Sequence, residues 1–264
     1  MNYLLGVDLG TSGTKTVLFD EDGNVVASKT IESPLYQEKN GWAEQEPLDW
    51  WNAAADTIHA VITESGVDNK DIKGLGISGQ MHGLVALDAQ DNVIRPAILW
   101  NDGRTSKEVD YLNNTIGKDR LSELTANIAF AGFTAPKLLW MRENEPENFE
   151  KIAKIMLPKD YLTYKLTGVH ACDYSDASGM LLLDVQHKRW SQEMLEICGV
   201  SERQMPQLFE SFAVVGRLTK EAAQTLGLPE TVKVVAGAGD NAAAAVGTCL
   251  LYTSPSPRDK RQSR

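Results

Sequence analysis

The chain has 264 residues, 42% hydrophobic and 23% charged, enough for one large or two modest globular domains. Its formal net charge of −10 argues against a nucleic-acid or anionic-membrane surface, though not against a nucleotide, which needs only a few backbone amides and one Mg²⁺. Cys172, Cys198 and Cys249 form no C-x-x-C pair, and no apolar run approaches membrane-spanning length, so a zinc knuckle, a disulfide framework and a membrane span are not indicated and a reducing cytoplasm is expected.

Three strands open the chain: apolar "YLLGVD" (3–8), β-branched "TKTVLFD" (14–20), and "NVVASKTI" (24–31) after a turn-forming "DEDGN". Leu48, Trp51, Ala55, Ile58 and Ile62 then step by three and four, which predicts an amphipathic helix with Pro47 at its start. A buried strand, "IKGLGIS" (72–78), is followed by "GLVALD" (83–88) and "NVIRPAILW" (92–100). The pattern from Ser106 to about Asn148 is mostly helical, with Pro136 at a helix start. "KIMLPKDYLTYKLTG" (154–168) predicts a short strand, a proline turn and a helix closed by Gly168. A polar loop, "CDYSDASG" (172–179), and a helix near Trp190 lead to a last strand in "VKVVAGAG" (232–239). The sum is a mixed α/β domain with a β-β-β-α-β start. "CLLYTSPSPRDKRQSR" (249–264) shows no usable period and reads as a disordered tail.

Four segments could carry chemistry. In "GVDLGTSGTK" (6–15) a strand ends at Asp8, and Gly10 and Gly13 bracket Thr11 and Ser12 before a second strand. The glycine spacing is too short for a P-loop, yet such a turn gathers N–H groups and hydroxyls that suit phosphate oxygens, with Mg²⁺ needed between phosphate and Asp8. A Gly-rich hairpin turn without a ligand explains the same residues. In "GLGISGQMHG" (74–83) the formal G-x-G-x-x-G lies inside a strand, so it is no dinucleotide turn. Its end presents Gln80, Met81 and His82 at a sheet edge, with His82 either a partner for a sugar hydroxyl or a structural histidine. Trp100, Asn101, Asp102 and Arg104 in "LWNDGRTS" fit the lining of a carbohydrate pocket, or a turn in which Asp102 pairs with Arg104 and Trp100 fills core. In "VVAGAGDNAAAAVG" (234–247) a dinucleotide turn fails for want of a second strand and a later acidic residue. Asp240 there is a helix N-cap, or a general base leaving a strand end into a cleft.

In order and spacing these segments resemble the FGGY carbohydrate kinases over about residues 1–248, nearest the branch that acts on D-xylulose. "LPKDYL" and "SDASG" are similar to the same family. The resemblance implies an actin/hexokinase-like (ribonuclease H-like) fold of two domains with the active site between them. It implies ATP- and Mg²⁺-dependent phosphoryl transfer to the 5-hydroxyl of D-xylulose. By matching position, Asp240 would be the general base and Asn241 a sugar contact. Met81 and His82 would bind the ketose, with Trp100, Asp102 and Arg104 nearby. Asp8 would assist through the metal, by way of water, and Thr11, Ser12 and Gly13 would meet the transferring phosphate; Lys15 stays unassigned. The implied partners are the sugar and ATP, with no nucleic acid or membrane, and a homodimer of a full-length parent is left open. Family members are much longer, so residues 1–248 are expected to be an N-terminal domain lacking the ATP domain, inactive alone, with 249–264 a non-native tail. A ribulose or gluconate kinase, a sugar-binding module without turnover and an actin-like ATPase are the alternatives. The last has no reason to carry "QMHG" and "WNDGR".

Overall fold

The computed structural model describes residues 1–250, and the expected tail beyond Leu250 lies outside them. Strands β1 (Tyr3–Leu9), β2 (Gly13–Asp20) and β3 (Val25–Glu32) form an antiparallel meander. Side chains alternate along a strand, so Leu5, Val7 and Leu9 enter the core while Asp8 stays exposed. Helix α1 (Pro47–Ser65) starts with proline at its first turn and stops at Gly66, whose left-handed φ of 67° a glycine adopts without penalty. It lays Trp50, Trp51, Ala54, Ala55, Ile58 and Val61 on the sheet. Burial of a side chain such as Ile58 contributes about 1.5–3 kcal/mol. The stripe is rotated from the expected one, for Leu48 is 49% exposed and Trp50 is buried. The hydroxyls of Thr57 and Thr16, 2.7 Å apart, tie α1 to β2 inside this layer.

Strand β4 (Ile72–Gly79) runs parallel to β1. Helices α2 (Thr134–Asn144), α3 (Pro158–Thr167) and α4 (Lys220–Leu226) follow, α3 ending at left-handed Gly168 as expected. Strands β5 (Val214–Arg217), β6 (Lys233–Val235) and β7 (Ala238–Gly239) complete the sheet in the order β5-β6-β4-β1-β2-β3, with β7 beside the end of β4. Helix α5 (Asp240–Gly247) leaves directly from β7. One core lies between the sheet and α1, α3 and α4; a second gathers around α2 and residues 172–200. On the opposite sheet face, Gly6, Val17, Phe19 and Gly76 with Ala242 and Val246 of α5 wall a groove of about 810 Å³.

Two expected elements differ. "NVIRPAILW" keeps strand pairing only at Ala97–Ile98, apart from a bridge at Val93, because Pro96 has no N–H for a ladder. "CDYSDASG" is not the polar loop expected. Ala171–Asp173 pairs with Gln207–Phe209 as strand, Tyr174–Ala177 makes a helical turn, and Asp173 and Asp176 are buried. Lys159, arriving from α3, supplies the charge that local composition does not reveal.

Candidate active site

The ends of β1, β4 and β7 meet at one edge. Asp8 pairs in register with Ser78, and Ser78 with Ala238, so the three lie in a row across the sheet. Ser78 Oγ donates to Asp8 Oδ1 at 2.7 Å. Between β6 and β7 the chain kinks at Gly237, with φ 76°; a Cβ there would fall 2.0 Å from the Ile77 carbonyl oxygen, so only glycine fits. The kink delivers Asp240 to the same edge as Asp8. Gly239 is the N-cap and Asp240 the first helical residue, so the helix starts one residue earlier than the capping expectation. Its Oδ1 accepts from the Asn241 N–H at 2.6 Å. Partial burial pushes the Asp240 carboxyl above its usual range; the Asn241 N–H opposes this and the charge of Asp8 adds to it. The charge of Asp8 is therefore felt at Asp240 across the edge.

Met81 packs on this corner. A Cβ on Gly239 would lie 2.8 Å from Met81 Cγ, and Asn241 Nδ2 is 3.9 Å from the Met81 sulfur. His82 takes a left-handed φ of 67°, uncommon for a residue with a side chain. Its ring sits 4.7 Å from that of Phe133, and Nδ1 is 2.9 Å from the Gly179 carbonyl oxygen. A carbonyl only accepts, so Nδ1 donates and Nε2 is left as an acceptor. Burial, assisted by the charge of Lys137, lowers the His82 pKa to about 4, so the ring is neutral at pH 7. Gly179 is required here, since a Cβ would come 2.3 Å from His82 Cε1.

The β1–β2 turn is braced from within. Gln45 Nε2 donates to the Thr11 carbonyl at 2.8 Å, while Gln45 Oε1 accepts from Gln80 Nε2 at 3.0 Å and Trp50 Nε1 at 3.1 Å. Gln80, 1% exposed, turns inward rather than joining Met81 and His82 at the edge. The Gly10 N–H is used on Gly13 O inside the turn, and Ser12 O accepts from the Ser33 N–H. Trp100 stands 48% exposed beside this turn, its indole N–H donating to Thr11 Oγ1 at 2.8 Å.

Asp102 and Arg104 do not line the edge. Asp102 Oδ2 accepts from the Ala43 N–H at 2.6 Å, and Arg104 Nε donates to Asp102 Oδ1 at 2.8 Å. Arg104 Nη2 also reaches Glu44 at 2.6 Å, and its guanidinium lies 3.6 Å from the Trp42 ring centroid and 4.8 Å from that of Trp140. Both side chains are buried, as the turn reading of that segment has it, whereas Trp100 does not fill core. A long-range partner, Glu44, draws Arg104 inward, and no local pattern announces it.

Sequence reasoning also passed over a buried charge cluster beneath the kink. Lys159 Nζ lies 2.6 Å from Asp160 Oδ1, 2.9 Å from Asp173 Oδ1, 3.9 Å from Asp176 Oδ2 and 3.5 Å from Ala236 O. The Asp176 carboxyl sits under the N-cap, where a Cβ on Gly239 would be 3.2 Å from its Oδ1. Burial raises the Asp160 and Asp176 pKa values against the opposing charge of Lys159. The adjacent Lys159 and Asp160 in "LPKDYL" were the available signal, because a charged pair seldom enters an apolar strand-to-helix joint without a partner.

Residues 3–247 match the model of the FGGY family of carbohydrate kinases, N-terminal domain. The chain belongs to the FGGY family of carbohydrate kinases. It is 47% identical over 247 residues to the xylulose kinase of Escherichia coli (strain K12), a match covering 94% of this chain and 50% of that protein. The crystal structure of a xyloylose kinase from Brucella ovis superposes with a TM-score of 0.89 at 44% identity, covering 93% of this chain and 50% of that one. A gluconate kinase from Lactobacillus acidophilus matches with a TM-score of 0.89 at 29% identity, covering 94% and 50%. The fold is thus the actin/hexokinase-like α/β fold of these sugar kinases. The chain spans about half the length of the curated relatives it matches. Among the described residues no helix is long and apolar enough to cross a membrane. No group of three or more His, Cys, Asp and Glu stands ready for a metal among them. Asp8 is nonetheless an oxygen donor of the kind Mg²⁺ takes when most of its ligands are water and phosphate.

Proposed function

We propose that residues 1–248 form the sugar-binding, base-carrying domain of a cytoplasmic kinase that transfers the γ-phosphoryl group of ATP to the 5-hydroxyl of D-xylulose. The observation that carries this reading is the shared edge: Asp8, Asp240 and the Met81–His82 turn meet at the carboxyl ends of parallel strands, where open α/β sheets receive ligands. The xylulose kinase relatives support the choice of sugar.

In this reading the 5-hydroxyl oxygen attacks the γ-phosphorus, its proton passes to the Asp240 carboxylate, and ADP departs. A raised pKa makes Asp240 a stronger base than an ordinary aspartate, provided it stays ionised. Neutral His82 offers Nε2 to a sugar hydroxyl, Met81 supplies an apolar wall, and Asn241 offers an amide. Trp100 closes the side next to Thr11, and Thr11, Ser12 and Gly13 face the transferring phosphate. Asp8 would hold the Mg²⁺ of Mg–ATP through water, and that ion would neutralise charge on the phosphate oxygens.

The test is calorimetric titration of the chain with D-xylulose, ribulose, gluconate and glycerol, with ATP hydrolysis measured as a control. D-xylulose is expected to bind ahead of the others. Preference for gluconate, or ATP hydrolysis indifferent to sugar, overturns the reading.

A further inference from the structure

Lys137 is fully buried in the first turn of α2, and among the described residues no carboxylate forms an ion pair with it. Its ammonium donates to the His82 carbonyl at 3.0 Å and to the Gly132 carbonyl. Thr134 Oγ1 donates to the same His82 oxygen, also at 3.0 Å. Burial lowers the Lys137 pKa to about 7, with the charge of Asp102 opposing and that of Arg104 assisting. Burying an ammonium without a counter-ion works against folding, so stability is a poor reason for a lysine here.

What the two carbonyls belong to suggests another reason. The left-handed turn at His82 aims that residue's carbonyl at Lys137 while its ring meets Gly179 and Phe133. Gly132 packs on the other side of the site, where a Cβ would come 2.6 Å from the Trp100 carbonyl oxygen. One ammonium therefore joins the turn bearing Met81 and His82 to the loop that abuts Trp100 and leads into Phe133.

We propose that Lys137 is a positioning residue for sugar binding, clamping the His82 turn to the Gly132 loop so that Met81 and His82 face the ketose. The proposal rests on the sugar-kinase reading for its ligand, but the clamp is a property of the free chain. Lys137 touches no sugar; it acts through the carbonyl of His82.

Lys137→Met in the full chain tests it, with Lys137→Gln, which keeps an amide donor on a shorter stem, as a second probe. Three readouts are taken: Tm, D-xylulose affinity by calorimetry, and the His82 ring signals with Gly83 amide exchange by NMR. Lys137→Met is expected to leave Tm unchanged or raise it. It should weaken D-xylulose binding by about tenfold or more, the loss of one charge-assisted hydrogen bond. It should also raise the His82 pKa, since the Lys137 charge holds it down, and speed exchange of the Gly83 amide, which is bonded to Met81 O. Lys137→Gln should fall between the two. Affinity within twofold of the parent chain overturns the proposal, as does loss of folding in both variants, which would assign Lys137 to stability. If the parent chain binds no D-xylulose, the sugar reading fails separately. The clamp is then judged by His82 and Gly83 alone, and unmoved signals there overturn it.

Discussion

Replacing Lys159 with methionine removes the cation that Asp160, Asp173 and Asp176 share inside the protein. The methionine stem fills a similar volume, so the change is chiefly one of charge. Removing one partner from a buried ion pair costs about 3–5 kcal/mol, because the remaining charge stays buried. In a domain of this size that corresponds to a fall in Tm of roughly 6–20 °C. The loss should depend on pH with a definite sign. Burial raises the folded pKa values of Asp160 and Asp176 even with Lys159 present. A carboxyl with a raised folded pKa contributes its stability fully below the unfolded value, about 3.9, and loses it as pH climbs through the folded value. Without Lys159 the folded values rise further, so the variant should fall behind the parent most at pH 8 and least near pH 4. Urea denaturation of both proteins at these two pH values measures the gap. A gap below about 1 kcal/mol at pH 8, the level of a surface pair, would mean that Lys159 does not neutralise buried charge. So would a gap of equal size at both pH values.

Other substitutions probe the site itself. Asp8→Asn should lower the Asp240 pKa, because the charge of Asp8 helps hold it up; carboxyl-carbon NMR titration reads this, and an unchanged value would separate the two residues. Gly237→Ala should destabilise the chain by at least the ~1–2 kcal/mol of a left-handed residue with a side chain, and abolish D-xylulose binding, because the new methyl meets Ile77 O. Denaturation and calorimetry together check it, and near-parental values in both count against the kink as the device that presents Asp240. D-xylulose should alter the fluorescence of exposed Trp100, and Trp100→Phe should remove that response; a full response in the variant would place the sugar elsewhere.

Much of the frame was legible because its signals are local. The three opening strands, α1 and β4 follow from runs and periods within a few residues, and Gly66 and Gly168 end their helices for a backbone reason visible in the letters. The strand-end positions of Asp8 and Asp240 were legible for a similar reason, but that β1, β4 and β7 bring them to one edge follows only from the pairing of distant strands. What stayed hidden depends on partners far along the chain. Glu44 draws Arg104 inward across the gap to residue 104, and Lys159 gathers Asp173 and Asp176 into the core. Composition marks such carboxylates as surface, and only the tertiary fold shows them paired. Trp100 had two readings, pocket lining or core, and it stands in solvent with its indole N–H on Thr11, which removes the core reading.

In the proposed site one sheet edge presents a sugar hydroxyl to Asp240. A crystal structure of the chain with D-xylulose tests it most directly. The 5-hydroxyl should lie within about 2.6–3.2 Å of an Asp240 carboxylate oxygen, with His82 Nε2 on another hydroxyl. Sugar bound away from Asp240, with His82 turned from it, would mean that Asp240 is not its base.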